Sequence, residues 1–276
     1  MWTRPASGGF SLFLAIAFTA LSQVALAQWQ PARTPDGQPD IQGYWSDAEI
    51  PLSTFISLEP SAENEGEIYG AELTKGSFVV DPADGVLPYQ AWARQKKDWL
   101  SEHYTDPPER QHLDPNSRCL PAGVPRINYV APYTEHRILQ KPGAVVIYSE
   151  WNHTVRVIPV DGRPHLDDNI RLWMGDSRGR WEGNTLVVET TNLNDKTWFD
   201  IVGAFHSDAL RVVERFAIVD ASTMTYEATI EDPKVFTRPW TIAFKFTRNE
   251  PGSTDAGELY EYACHEGNLA TELIIH

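Results

Sequence analysis

From Met224 to Glu231 apolar and polar side chains alternate without a break. Met224, Tyr226, Ala228 and Ile230 fall on one side, and Thr225, Glu227, Thr229 and Glu231 on the other. A period of two is the pitch of a β-strand, whose successive side chains leave opposite faces of a sheet. Such a strand must bury its apolar face against other strands or a covering layer. Ile242, Phe244 and Phe246 alternate with Thr241, Lys245 and Thr247 in the same way. Further strands are expected at 136–140, 144–150, 154–160, 178–182, 185–191, 210–219 and 258–263. Turn-forming triplets separate them, among them Lys141-Pro142-Gly143, Glu182-Gly183-Asn184 and Asp220-Ala221-Ser222. Consecutive strands with short links predict a mainly-β fold, an antiparallel meander closing into a barrel or strongly curved sheet, with a β-sandwich as the alternative.

The N-terminal third reads differently. Pro31, Pro35, Pro39, Pro51, Pro60, Pro82 and Pro88 interrupt any long periodic element. One helix is expected, Tyr89 to His103, with Trp92 and Trp99 packing against the sheet. The expected division is therefore a signal peptide at 1–27, an irregular extension at 28–135 packing on the barrel, and an antiparallel β domain at 136–276.

Arg4, the apolar run Phe10 to Ala20 and Ala25-Leu26-Ala27 have the order of a cleavable export signal. No later segment reaches the ~18 uninterrupted apolar residues of a membrane span. The chain is expected to be periplasmic or secreted, with no membrane contact after cleavage. Asp and Glu number 38 against 23 Lys and Arg, a net charge of −15. That balance argues against nucleic acid and anionic lipid as partners, because phosphate binding needs clustered cations. The two cysteines, Cys119 and Cys264, are expected to pair in an oxidising compartment, with two buried thiols as the alternative.

If each strand of the meander reverses the last, the connections 161–177, 192–209 and 232–240 and the tail 264–276 share one end. The short connections 151–153, 182–184 and 220–222 then share the other. The loaded end would carry His165, His206 and His265, side chains that exchange protons near neutral pH. Asp168, Glu266 and the inward-facing Glu214 could orient them or share protons. Asp176, Arg178, Trp173 and Trp240 would line a ligand. The same three histidines with a carboxylate could hold Zn, Cu or Fe, although no HExxH or HxH spacing supports it. Gly175-Asp176-Ser177-Arg178-Gly179 is not the GxSxG of a nucleophile elbow and precedes a strand. It reads as a hairpin braced by an Asp176–Arg178 ion pair. Glu214 shares a face with Val212, Phe216 and Ile218, so it needs a buried partner or a raised pKa.

Several segments together resemble a family of uncharacterised exported bacterial proteins. They include Asp161-Gly162-Arg163-Pro164-His165, Gly175 to Gly183, Leu186 to Thr190, Glu214-Arg215-Phe216, Arg238-Pro239-Trp240 and Glu261 to Asn268. Arg118-Cys119-Leu120-Pro121 belongs to the same set. The resemblance implies export and a shared site but no reaction. From the residues themselves, the expected function is an exported enzyme acting on a small, partly aromatic molecule. His and carboxylate groups would do cofactor-free acid–base work of lyase, isomerase or hydrolase type. The alternatives are a non-catalytic small-ligand-binding barrel and a His-ligated metalloprotein. No cofactor is expected, because no nucleotide or flavin fingerprint is present.

Overall fold

In a computed structural model of the chain, the described residues are Met1, 29–46, 56–60, 67–68, 71–72, 77–130, 135–250 and 258–269. The expected signal peptide, Met1 apart, lies outside them, as does the end of the tail. The strands are β1 (Gly43–Ser46), β2 (Glu67–Ile68), β3 (Ala71–Glu72), β4 (Val79–Asp81), β5 (His136–Lys141), β6 (Ala144–Ser149) and β7 (Val155–Pro159). They continue with β8 (Asp176–Glu182), β9 (Thr185–Thr191), β10 (Arg211–Ile218), β11 (Thr223–Glu231) and β12 (Trp240–Asn249). The α-helix α1 spans Ala91–Glu102. The fold is the expected one: ten antiparallel strands in a sheet nearly closed into a barrel, with β2 and β3 forming a separate small hairpin.

The sheet runs β7–β6–β5–β1–β12–β11–β10–β9–β8. The long strand β12 serves two neighbours besides β11. Its last residues pair with β1, and Thr241 and Ile242 pair with β4 across a register irregularity. Strand β1 therefore comes from the segment expected to lie outside the barrel and forms one of its staves. One hydrophobic core runs from Ile41 and Trp45 to Phe246, so 135/136 is not a boundary between separate cores. No strand forms at 258–263; that stretch crosses the barrel end, with Tyr262 stacked on Trp151 at 4.5 Å.

The pairings show why alternation was a sound guide. Ala228 faces Glu214 and Ile242, Tyr226 faces Phe216 and Phe244, and Met224 faces Ile218 and Phe246, all inward. Each large apolar side chain buried this way contributes roughly 1.5–3 kcal/mol. The β5–β6 turn places Pro142 and Gly143 in its two central positions, and Gly143 takes φ +80°, which a side chain would oppose.

Every pairing on the path is antiparallel, so eight reversals leave β7 and β8 pointing the same way. They meet at the barrel's seam without a backbone ladder. Gly179 makes the approach possible: a Cβ there would lie 2.8 Å from Val160 and 2.9 Å from Ile158. The β7–β8 connection consequently returns along the barrel, and the expected reversal at every strand fails at this step. Residues 151–153 lie at the end opposite 182–184 and 220–222, together with 192–210 and 232–239.

Helix α1 buries Ala93, Lys97 and Leu100. Trp92 and Trp99 do not pack against the sheet as expected; they are 51% and 37% exposed. Trp99 instead stacks on His103 and meets His112 edge-on. Among the described residues no helix is long and apolar enough to cross a membrane.

Candidate functional site

The three histidines expected at one mouth do not converge. His165 lies over the outer face of β8, where its Nδ1 is 2.8 Å from Asp176 Oδ2 and its Nε2 is 3.7 Å from Glu189 Oε1. Asp176 also accepts from Arg178 at 2.6 Å, which is the bracing expected of the Gly175–Gly179 segment. His206 is buried and saturated: its Nδ1–H donates to the Ser207 carbonyl at 2.9 Å, and its Nε2 accepts from Thr197 at 2.6 Å. His265 is exposed beside Glu266, in a shallow groove at the disulfide. Asp168 is exposed, and its carbonyl accepts from Arg171. Trp240 is fully buried, with Phe199 and Phe236 packed edge-on at 5.4 and 5.5 Å, so it is a core residue and cannot touch a ligand. Among the described residues no three His, Cys, Asp or Glu side chains gather as a metal site would require. The physical reason is that loops sharing one end still divide among the outer wall, the core and the rim.

Glu214 faces the interior as its strand phase requires, and it has a partner. Arg156 of β7 donates Nη1 to its Oε1 at 2.9 Å and Nη2 to its Oε2. Asn128 and Tyr226 each donate to Oε1 at 3.0 Å. Arg156 also reaches Ser177 of β8 at 3.0 Å and Thr190 of β9 at 2.7 Å. One guanidinium thus ties β7 to β8, β9 and β10 across the seam that lacks a ladder. Burial, then the neighbouring Glu214 carboxylate, holds the Tyr226 hydroxyl well above its usual pKa, so it stays a donor. The sequence placed Glu214 inside; its partner, on a strand 58 residues earlier, left no local trace.

Among the described residues, the space beside this network is nearly filled. The cavity beside this network, lined by Trp45, His136, Phe216 and Phe246 among others, measures about 10 Å³, room for one water at most. His136 donates or accepts at Ser149 over 2.8 Å, and its Nε2 has no protein partner. Burial, reinforced by Arg156, pushes its pKa down to about 3. Burial also lowers that of His206. Both rings fold neutral, while the unfolded chain protonates them below pH 6.5. Their contribution is therefore fully present above that value and is lost as the pH falls, for His136 by about 1.4 kcal/mol per unit toward pH 3, with His206 adding in the same direction. Urea unfolding at pH 7 and pH 5 should show this slope, and His136→Gln should remove part of it. A flat profile in the unmodified protein would refute the assignment.

A concavity large enough for a small molecule lies elsewhere, beside α1. Lys96 and Leu100 of α1, Gln111, His112, Arg118 and Leu120 of the following segment, and Trp173, Asp195, Lys196 and Trp198 of two loops enclose about 520 Å³. Trp173 is the expected ligand-binding residue that does line it. Asn192 takes φ +58°, and its side-chain amide donates to the Asp167 and Ile170 carbonyls at 2.9 and 3.1 Å. Leu172 is bridged to Leu193, which fixes the loop that carries Trp173. Sequence reasoning missed Lys96, His112, Arg118 and Lys196. Their only sign was Arg118 within a family-like motif, since cations on an irregular segment show no periodicity.

Cys119 and Cys264 form a disulfide, with Cα atoms 5.6 Å apart. Such bonds persist in oxidising compartments, which fits an exported protein. No family model matches the chain, and no curated protein or solved structure matches it.

Proposed function

We propose that this is an exported small-molecule-binding protein, of the family of uncharacterised exported bacterial proteins whose motifs it resembles. Its ligand is flat and partly aromatic and lies in the cleft between α1, residues 111–120 and residues 195–198. One observation carries the reading: a cleft of about 520 Å³ is walled by Trp173, Trp198 and His112, whereas the cavity beside the Arg156–Glu214 network measures about 10 Å³. Rings of this kind take flat ligands by stacking and edge contacts. The test uses 2-naphthamide as a probe, followed by tryptophan fluorescence and calorimetry. Trp173→Ala should weaken binding about tenfold, the loss of one aromatic contact and its buried area, with the melting temperature unchanged. Equal affinity in variant and parent would reject the cleft.

A catalytic version of the same reading rests on His112 and Asp195, which line the cleft together and could move protons on a bound molecule. It replaces His165, His206 and His265 as the acid–base groups. His112→Ala would then abolish turnover of any substrate found while leaving its binding in place.

A further inference from the structure

Ten Lys or Arg side chains of this acidic protein lie within ion-pair distance of a carboxylate. Lys96, Arg118 and Lys196 belong to the larger remainder that does not, among the described residues, and what sets them apart is that all three line the same cleft. Lys96 rests its ammonium 4.0 Å over the Phe205 ring, and Lys196 lies 6.0 Å from the Trp173 ring. Aromatic faces hold a cation in place without neutralising it. Asp114 acts on Arg118 through its charge, but that carboxylate is taken by Arg126 through bonds of 2.7 and 3.0 Å. Arg118 Nε is buried with no acceptor. A buried donor left unsatisfied is costly, and a guanidinium more so. Loss of hydration in the cleft lowers the pKa of both Arg118 and Lys96. The cleft sets three cations against one carboxylate, Asp195, in a chain of net charge −15. Solubility does not call for that concentration of positive charge, and a bound anion would relieve it.

We infer that the ligand of this cleft is an anion, an aromatic or ring-bearing acid whose carboxylate is held by Arg118 with Lys96 and Lys196. The inference rests on the proposed binding role of the cleft and narrows its ligand class. Arg118 presents paired donors that suit a planar carboxylate, while the two ammoniums add charge without fixing direction. The rings of Trp173 and Trp198 take the apolar part.

The experiment compares 2-naphthoate with 2-naphthamide, equal in shape and different in charge, by calorimetry and tryptophan fluorescence. Naphthoate should bind at least about tenfold more tightly, and added salt should shrink the difference. Arg118→Gln should abolish the preference. Lys196→Gln, at an exposed position where folding is not at stake, should reduce it. Equal binding of the two probes would overturn the anion assignment and leave the cleft standing. A naphthoate preference that survives both substitutions would also overturn it, by locating the anion elsewhere. Binding of neither probe would reject the cleft itself.

Discussion

Arg156→Ala should lower the unfolding free energy by about 3–5 kcal/mol, measured by urea denaturation at pH 7. The substitution leaves Glu214, which is 0% exposed, without its counter-charge. It also removes bonds to Ser177 and Thr190 on the far side of the seam. Elsewhere in the barrel, neighbouring strands are held by backbone ladders, so a side chain can be lost without parting them. Between β7 and β8 this guanidinium and the contacts at Gly179 replace a ladder. Amide exchange should therefore accelerate first in Val155–Pro159 and Asp176–Glu182 of the variant. Replacing both charges, with Arg156→Met and Glu214→Leu, should recover part of the loss, because no unpaired ion remains. A cost below about 1 kcal/mol for the single change would show that the pair is not the clasp.

Breaking the Cys119–Cys264 bond is the second large effect. The bridge spans 145 residues, and restricting so long a loop in the unfolded chain is worth roughly 4–5 kcal/mol. Cys264→Ser, or reduction with a dithiol, should lower stability by that order. The bond also fastens the 258–269 segment across the barrel end. There the Asn268 amide donates to the Ser117 carbonyl at 3.1 Å, and Tyr262 covers Trp151. Its loss should expose Trp151 to a neutral quencher. Identical denaturation midpoints with and without reductant would contradict the prediction.

How far the sequence could be read depended on whether the deciding interactions were local. Alternation in Met224 to Glu231 and Thr241 to Thr247 located strands because side-chain direction follows from the backbone repeat alone. Glu214 could be placed inside for the same reason. Pro142-Gly143 marked a turn because φ preference belongs to the residue. Trp92 and Trp99 misled, since an aromatic stripe on a helix does not reveal which side meets the sheet; Ala93 and Leu100 do.

The amino-acid sequence by itself determined the strands from β5 to β12, their inward faces, the pairing expected of the two cysteines and the need of Glu214 for a partner. Each of these follows from the chemistry of a few neighbouring residues or from a count. Only the tertiary structure decided that β1 enters the sheet between β5 and β12, which turns β7 and β8 the same way, and that the three histidines divide among outer wall, core and rim. It also decided that Lys96, Arg118 and Lys196 face one cleft. Those outcomes depend on strand order and loop return, which are set by the summed burial of the whole core and leave no periodic mark on the segments involved.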